Sequence, residues 1–392
     1  MNTRVALVSL HTSPLEQPGS GDAGGMNVYL VGLAEALAAS GVEVELLTRA
    51  VGGEHPDART PGGVPVRALP AGPVGAVPKG RLTDLAPEFG RAMSQLPRFD
   101  VVHSHYWLSG LAALPVADAW GAPHVLSLHT LGALKNARLA PGDSAEPAAR
   151  IEGERMLVRA SALTVAATQA ERNAIVEATD AGLEAVTVVP PGVDTSLFHP
   201  DGSVVTRARP FVLVLARIQP LKGIDLAITA LARIPAAERP MLVVAGGASP
   251  GHDAYAASLH RLATELLRPG DLEFLPAQSR EATAALLRAA SLLLVPSHSE
   301  TFGLVALEAA ASGTPVVAGR AGGLAEAVSD GVSGVLIEGR DPETWARVIR
   351  SLLSDPHGLA TLSASAAAFG AARSWAAAAA DLRGHYDHLL GR

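Results

Sequence analysis

The sequence contains no cysteine, so disulfide bonds and thiolate metal sites are excluded. Aromatic residues make up only 4% of the chain, and the core must therefore be built mainly from aliphatic side chains. Positive charge is not in excess, because the formal net charge is −7 at pH 7, which argues against a general affinity for nucleic acid. No apolar run reaches the roughly 18 residues that a membrane-spanning helix needs. The first predicted strand begins by Arg4 and leaves no room for a signal peptide, so we expect a soluble, cytoplasmic protein that does not bind membranes.

The chain is long and rich in aliphatic side chains. It has 392 residues, of which 48% are hydrophobic and 18% charged, the composition of a globular protein with large buried sheets. This length is too great for one ordinary core and suits two domains of about 200 residues each. Short apolar runs alternate with helical segments from one end to the other, which predicts parallel sheets of the α/β class.

The alternation of runs predicts strands and helices in two series. The predicted strands are 5–9, 42–48, 64–69, 101–105, 124–129, 162–167 and 186–190 in the first half, and 211–216, 241–245, 272–275, 292–296, 315–318 and 334–337 in the second. The predicted helices are 26–39, 108–120, 145–159, 169–179, 223–234, 255–267, 280–289, 303–311, 342–353 and 374–390. The stretch 198–209 lacks periodicity and is interpreted as a linker. We therefore predict two Rossmann-like domains, residues 1–200 and 201–371, facing a central cleft.

Two carboxylates lie close to the end of a predicted buried strand in the stretch Ser299–Gly313. Glu300 falls in the loop above the strand, and Glu308 falls eight residues later on the following helix. Ligands bind at the carboxyl ends of strands in doubly wound folds, so both carboxylates could face one crevice. The alternative is that Glu300 complements a helix N-terminus and Glu308 marks the exposed face of the helix.

A glycine-rich loop follows the first strand. Gly19, Gly21 and Gly24 match the spacing of a dinucleotide fingerprint, but about nine residues separate the strand from Gly19, whereas a dinucleotide turn follows its strand at once. Because Gly24 and Gly25 immediately precede a helix, their amides could instead bind a phosphate. A surface loop without a ligand is the alternative.

Two cations occupy the corresponding place in the second half. Arg217 and Lys222 lie between a strand and a helix, near a helix N-terminus that already carries partial positive charge. A diphosphate would satisfy both cations and the free amides together, and we favour this hypothesis over a solvated loop.

Further polar groups follow the strands of the first half. His103 and His105 lie at the end of one predicted strand and His129 at the end of the next. Metal ligation is not favoured, because no acidic or cysteine partner lies nearby in the sequence. A hydrogen-bonding or core role is the simplest interpretation of each histidine. Taken singly, Lys79 and Arg150 are expected to be solvated surface charges.

Taken together, these stretches resemble the retaining nucleotide-sugar glycosyltransferases of the GT-B fold. Within them they are similar to the group that transfers N-acetylglucosamine to inositol 3-phosphate in mycothiol biosynthesis. The general part of the likeness is the pair Glu300 and Glu308 with Arg217 and Lys222. The more specific part consists of four first-half segments, 11–15, 21–27, 103–110 and 129–136.

The resemblance implies a function and a set of site residues. The implied donor contacts are Gln17, Pro18, Gly25, Arg217, Lys222, Gln278, Glu300 and Glu308, with UDP-N-acetylglucosamine as donor. The implied acceptor contacts are His11, Asp22, Ala23, Gly24, Gly25, Met26, Asn27, Lys79, Tyr106, Thr130 and Arg150, which would surround 1D-myo-inositol 3-phosphate. His129, Arg217, Lys222 and Glu300 are the implied catalytic residues. A final helix within 372–392 would join the N-terminal domain.

The same resemblance bears on mechanism and cofactors. It implies front-face attack by the acceptor hydroxyl, with the cations stabilising the leaving diphosphate. No cofactor is required for the chemistry, although a structural magnesium ion would be held by Leu287, Arg288, Ala290 and Thr314. A homodimer is also expected. The loop 137–146 departs from the family pattern, so another cyclitol or a sugar phosphate, as in sucrose-phosphate synthases, is the alternative acceptor. A lipid-inositol mannosyltransferase, a GT-B sugar-nucleotide epimerase and a non-catalytic nucleotide-sugar sensor are further alternatives.

Overall fold

The first half of the chain forms a parallel sheet. The computed structural model describes residues 3–52 and 58–392, apart from the side chain of Lys79. Within this described part, seven strands pair in the order β3-β2-β1-β4-β5-β6-β7. Their bounds are β1 (Arg4–Ser9), β2 (Glu43–Arg49), β3 (Val66–Leu69), β4 (Val101–His105), β5 (His124–Ser127), β6 (Leu163–Ala166) and β7 (Val186–Val188).

The second half repeats this architecture. Among the described residues, six parallel strands pair in the order β10-β9-β8-β11-β12-β13. They are β8 (Phe211–Leu215), β9 (Met241–Ala245), β10 (Leu272–Leu275), β11 (Leu292–Val295), β12 (Val316–Gly319) and β13 (Gly334–Ile337). These two parallel sheets confirm the predicted α/β class, and each predicted strand has a counterpart.

Helices cover both faces of each sheet. The first half contains α1 (Gly25–Ala39), α2 (Ala86–Ser94), α3 (Trp107–Trp120), α4 (Gly132–Ala137), α5 (Ala148–Ala160) and α6 (Gln169–Thr179), with 3₁₀ turns at Lys79–Leu85 and Leu183–Ala185. The second half contains a 3₁₀ turn at Pro220–Lys222, then α7 (Ile224–Arg233), α8 (Asp253–Leu266), α9 (Arg280–Ala289), α10 (Leu304–Ala311), α11 (Leu324–Ala327), α12 (Pro342–Leu353), α13 (Pro356–Ala371) and α14 (Trp375–Leu389). The sequence patterns did not predict α2, α4, α11 and α13. None of the helices in the described ranges is long and apolar enough to cross a membrane.

The sheet cores are aliphatic, as the low aromatic content requires. Leu7, Leu30 and Leu46 are among the fully buried side chains on one face of the first sheet, and Phe89 is a rare aromatic on the other. Most of the parallel connections contain a helix, so helices pack on both faces of the sheets and bury the strands between them. The result is a rigid support for the loops at the strand ends.

The chain crosses between the two sheets at two adjacent places. The first crossing follows β7, and the second leads from α13 into α14, where the Val193 amide donates to the Arg373 carbonyl at 2.9 Å. A Cβ atom on Gly192 would lie 2.1 Å from the Trp375 nitrogen, so only glycine permits this approach. Helix α14 then packs against α1, back on the first sheet.

In each sheet the strand order reverses beside the first strand. The reversals lie between β1 and β4 and between β8 and β11. Ligands bind at such switch points, outside the carboxyl ends of the strands. The loops that follow β1, β4, β8 and β11 are therefore the ones expected to form the site, and they meet in one cleft.

Candidate active site

The glycine-rich loop after β1 forms one wall of the cleft. Asn27 fixes this loop, because its Oδ1 accepts a hydrogen bond from the Gly24 amide at 3.0 Å and its Nδ2 donates to the Ser13 carbonyl at 2.6 Å. The Asn27 side chain is buried, so its polar atoms serve the loop. Gly25 is thereby placed at the start of α1, where backbone amides without helical partners can bind an anion.

Arg217 lies opposite this loop, just after β8. Its Nη1 donates to the Gly21 carbonyl at 3.4 Å and lies 4.0 Å from Asp22 Oδ1, so its contacts to the first sheet are long. A Cβ atom on Gly24 would lie 3.5 Å from Arg217 Nε, which shows how closely the loop approaches the guanidinium. Burial lowers the pKa of Arg217 from its ordinary value, while Asp22 and Glu300 raise it. A partly buried cation with long contacts favours an added anion.

Lys222 and Glu300 form an ion pair at the same edge of the second sheet. Lys222 Nζ lies 2.6 Å from Glu300 Oε1, which also accepts a hydrogen bond from the Ser297 hydroxyl at 2.9 Å. Lys222 ends the 3₁₀ turn before α7, and Glu300 follows β11. Two adjacent strand ends therefore supply the pair, as the fold predicts.

Glu308 projects from α10 and is buried. It forms an ion pair with Arg280, the first residue of α9, whose guanidinium lies 4.6 Å from the Phe198 ring centroid. Sequence analysis did not identify Arg280. A signal was present, because a cation in the first turn of a helix is electrostatically unfavourable, as it is for Arg217 and Lys222.

His129 belongs to the cleft and not to a strand. Strand β5 ends at Ser127, because His129 adopts a φ of 59°, a left-handed conformation that ends the predicted strand early. Its carbonyl accepts a hydrogen bond from the Thr301 hydroxyl of the second sheet at 2.6 Å. Burial lowers the pKa of His129 to about 3, so the ring is neutral near pH 7. A group with this pKa is a poor general base and serves as a hydrogen-bonding group.

The predicted acceptor residues converge only in part. Thr130 Oγ1 accepts a hydrogen bond from Arg150 Nη2 at 2.8 Å, and the Arg150 guanidinium lies 4.9 Å from the Tyr106 ring centroid. Arg150 is not the solvated charge expected from its isolated position, because it is buried and bonded to Glu154 at 2.7 Å and Glu146 at 2.9 Å. Sequence analysis did not predict that either carboxylate pairs with Arg150.

The cleft has a volume of about 350 Å³ and is lined by both sheets. The predicted residues that line it are His11, Pro18, Asp22, Gly24, Gly25, Met26, Asn27, Tyr106, His129, Thr130, Arg217, Lys222, Gln278, Glu300 and Glu308. Lys222 and Gly25 thus share one hollow. Gln17, Ala23 and Arg150 lie outside the lining: Gln17 donates to the Ala277 carbonyl at 3.0 Å, and Ala23 is buried. The side chain of Lys79 falls outside the described residues.

The residues implied for a magnesium ion offer little to a metal. The Leu287 carbonyl already accepts hydrogen bonds from the Thr314 hydroxyl and from the Ala290 amide, and the Arg288 side chain donates to the Ser203 carbonyl at 2.8 Å. These residues bring no carboxylate, the ligand that magnesium prefers. No cluster of three or more His, Cys, Asp or Glu residues in the described ranges could hold a metal. The magnesium ion stays a prediction, and no step below passes through it.

Two parallel sheets that face one cleft, with cations and carboxylates at their strand ends, define a glycosyltransferase of the GT-B class. Residues 24–192 match the family described as "Glycosyl transferase 4-like domain", and residues 200–369 match "Glycosyl transferases group 1". The chain belongs to the group 1 glycosyltransferases.

Curated relatives match nearly the whole chain. The D-inositol 3-phosphate glycosyltransferase of Stackebrandtia nassauensis is 45% identical, over 99% of this chain and 92% of its own. The protein of the same name from Frankia alni is 43% identical, over 97% of this chain and 98% of its own. Among solved structures, the sucrose-phosphate synthase of Thermosynechococcus elongatus superposes with a TM-score of 0.90 at 28% identity, covering 100% of both chains.

Proposed function

We propose that this protein transfers N-acetylglucosamine from UDP-N-acetylglucosamine to 1D-myo-inositol 3-phosphate with retention of configuration, as in mycothiol biosynthesis. The relatives named for D-inositol 3-phosphate support the acceptor. The observation that carries the proposal is that Arg217, Lys222 and Gly25, at the start of α1, line one cleft. The proposed partners are thus a UDP-sugar and a phosphorylated cyclitol. A homodimer and a cytoplasmic location stay predictions from the sequence.

The donor side of the proposed site stabilises negative charge. Arg217 and Lys222 would neutralise the diphosphate as the sugar–phosphate bond breaks, with the Gly25 amide at the start of α1 as a further donor. Glu308, held by Arg280, would accept hydrogen bonds from the ribose hydroxyls. Glu300, held by Lys222 and Ser297, would face the transferred sugar.

The acceptor side of the proposed site would orient the cyclitol for attack. The loop fixed by Asn27, together with Thr130 and Tyr106, would hold the cyclitol so that one hydroxyl faces the anomeric carbon. Burial raises the pKa of Tyr106, so its phenol is a neutral hydrogen-bond donor near pH 7. The attacking hydroxyl would give its proton to the departing phosphate. The rate then comes from positioning and from leaving-group stabilisation, which agrees with a neutral His129.

The direct test is turnover with defined substrates. The purified protein is incubated with UDP-N-acetylglucosamine and 1D-myo-inositol 3-phosphate, and UDP release and the anomeric configuration of the product are followed by NMR. We expect UDP release that requires the acceptor and an α-linked product. Normal binding of the donor without turnover on this acceptor would show that the acceptor assignment is wrong.

A sugar phosphate is the second candidate acceptor. It is favoured by the TM-score of 0.90 with a sucrose-phosphate synthase over the full length of both chains. The same assay with a fructose phosphate separates the two proposals, because only the acceptor differs. A new UDP-linked sugar that forms without any acceptor and without net release of UDP would indicate an epimerase instead.

A further inference from the structure

Two buried histidines and the partly buried His129 form a stack that ends at the cleft. His103 and His105 share one face of β4, because side chains on a strand alternate with a period of two, and their ring centroids lie 4.2 Å apart. The ring of His129 follows, 5.1 Å from that of His105 and inclined by 23°. Only His129 reaches the cleft. The proposed reaction therefore leaves the first two histidines without a role.

The hydrogen bonds of the stack decide which nitrogens carry protons. His105 Nδ1 lies 2.9 Å from His129 Nε2, so one of these two nitrogens donates to the other. The other ring nitrogen of His105, Nε2, is buried and has no partner within the described residues. A buried N–H without an acceptor is rarer in proteins than a buried acceptor without a donor. The proton of His105 therefore belongs on Nδ1, which donates to His129.

This donation determines the tautomer of His129. A neutral imidazole has one N–H, so a ring whose Nε2 accepts must carry its proton on Nδ1. The ring is neutral because burial lowers its pKa to about 3. It is also held in place, since the Tyr29 ring lies edge-on at 4.9 Å and Thr301 binds the His129 carbonyl. Nδ1–H is then a fixed donor on the side of the ring that faces away from His105.

His103 holds the plane of His105. Its Nδ1 lies 2.7 Å from the Tyr386 hydroxyl and its Nε2 lies 2.9 Å from the Ser127 hydroxyl, so both ring nitrogens are bonded. A ring held at both ends cannot rotate, and it stacks on His105 at 27°. The orientation of His105 is thus supported from α14 on one side and β5 on the other.

We propose that His105 is a positioning residue that sets the tautomer of His129, so that His129 Nδ1–H donates a hydrogen bond to a hydroxyl of the donor sugar. This inference rests on the proposed function for its ligand, but the tautomer itself can be measured without any substrate. A sugar hydroxyl oxygen is a suitable acceptor for a neutral N–H donor. An Nε2–H tautomer of His129 would present a lone pair at the same point and would require the hydroxyl to donate instead.

Nitrogen-15 NMR measures the tautomer directly. The whole protein is labelled with ¹⁵N-histidine, and the His129 ring signals are assigned by their loss in His129→Gln. Long-range proton–nitrogen correlations should show a protonated Nδ1 and an unprotonated Nε2 for His129 in the wild type. A protonated Nε2 would overturn the proposal. In His105→Leu the Nδ1–H preference should disappear, and its persistence would show that His105 does not set it.

Binding and kinetics test the consequence for the donor. In His105→Leu we expect kcat and the affinity for the UDP-sugar to fall by about tenfold, with the affinity for UDP unchanged, because UDP lacks the sugar that His129 contacts. His105→Asn places an amide where Nδ1 stood and should restore most of this loss. Equal weakening of UDP and UDP-sugar would indicate a general structural effect and would contradict the proposal.

His124 provides the matched control. It is another buried histidine of the same sheet, bonded to Ser104 at 2.8 Å and to Ser161 at 2.9 Å, away from His129. His124→Asn should leave the tautomer of His129 and the preference for UDP-sugar unchanged. If the wild type gives no transfer to inositol 3-phosphate, the acceptor assignment fails while the NMR result still decides the role of His105.

Discussion

At the scale of single residues, the three cations of the cleft differ in how well the protein satisfies them. Lys222 and Arg280 each form a close ion pair with a carboxylate, whereas the polar contacts of Arg217 with the described residues, to Gly21 and Asp22, are long. The cation with the longest contacts is the one that gains most from an added anion. Of the three cations, Arg217 is therefore the one whose loss of charge should lower the rate of transfer most.

Replacing Arg217 with alanine should lower kcat/KM for transfer by at least about a hundredfold, which is about 2.7 kcal/mol of transition-state stabilisation. The reason is the lost neutralisation of the leaving diphosphate. Steady-state assays of UDP release measure the effect. Arg347→Ala removes an exposed arginine that hydrogen-bonds the Thr344 hydroxyl outside the cleft and should leave the rate unchanged. Wild-type activity in Arg217→Ala would remove the diphosphate role.

Single residues also show what a sequence can reveal about a site. Arg217 and Lys222 could be selected because a cation near a helix N-terminus needs an anion, and both line the cleft. Their partners could not be selected, since the pairing of Lys222 with Glu300 depends on two strands that are distant in sequence. For the same reason the engagement of Arg150 by Glu146 and Glu154 was not predicted.

At the scale of elements, the first turn of helix α6 contains a buried carboxylate, Glu171. Thr168 caps the helix by accepting from the Glu171 amide at 3.0 Å, and Glu171 Oε2 accepts from the Ala167 amide at 2.7 Å. Glu171 is buried, and its second oxygen, Oε1, has no hydrogen-bond partner among the described residues. Burial raises the pKa of Glu171 from 4.5 to about 7, and nearby Glu326 adds to this rise. Between about pH 4.5 and 7, the Glu171 carboxyl is therefore protonated more often in the native protein than in the unfolded chain.

This pKa predicts a loss of stability as the pH rises. Between about pH 4.5 and 7 the native state binds more protons at Glu171 than the unfolded state, so the free energy of unfolding falls across this window and stays low above it. Glu171→Gln should abolish the fall and raise stability at pH 8 by on the order of 3 kcal/mol. Thermal melting at pH 5 and pH 8 tests this, with the exposed Glu177→Gln as control. An unchanged pH profile in Glu171→Gln would contradict it.

The predictability of elements depended on their hydrophobic pattern. Buried strands such as β8 and β11 are short aliphatic runs, and every predicted strand is present. Helix α13 was not predicted, because its run of alanine and serine has few large apolar residues to mark a face. Helices α4 and α11 are too short for a period to be recognised.

At the scale of the whole molecule, direct contacts join the two sheets across the cleft. Glu326 of α11 accepts hydrogen bonds from the Gln169 and Ala170 amides at the start of α6, both at 2.9 Å. Thr301 binds His129, and Gln17 binds Ala277. The sequence predicted a cleft between two Rossmann-like halves but not these contacts, because they join loops more than a hundred residues apart.

Glu326→Ala should open the cleft. Its carboxylate satisfies two amides at a helix N-terminus, an arrangement worth on the order of 1 to 2 kcal/mol, so the ratio of closed to open molecules should fall by about tenfold. We expect a larger radius of gyration by small-angle X-ray scattering and a higher KM for the donor. The exposed Glu265→Ala is the control. An unchanged radius together with an unchanged KM would show that Glu326 does not hold the domains together.

Tyr386→Phe should destabilise the first sheet from the far end of the chain. The change removes the hydroxyl that bonds His103 Nδ1 at 2.7 Å and leaves a buried polar atom without its partner. The expected cost is about 1 to 3 kcal/mol of unfolding free energy, measured by denaturant titration. His388→Gln, at an exposed position of the same helix, should have little effect. A variant as stable as the wild type would show that α14 is held by apolar packing alone.

The helix that completes the first sheet, α14, is synthesised long after the strands of that sheet. Tyr29 packs against Trp375 at 5.4 Å, and a Cβ atom on Gly32 would lie 2.4 Å from the Trp375 ring, so α1 is shaped for a partner synthesised some 340 residues later. Until α14 is synthesised, the nascent amino-terminal half therefore carries an uncovered apolar surface, the kind that chaperones bind. Truncation anywhere in the second half would remove α14 from the first sheet as well as part of the second half. The two halves of this enzyme therefore depend on each other for complete folding, despite their separate sheets.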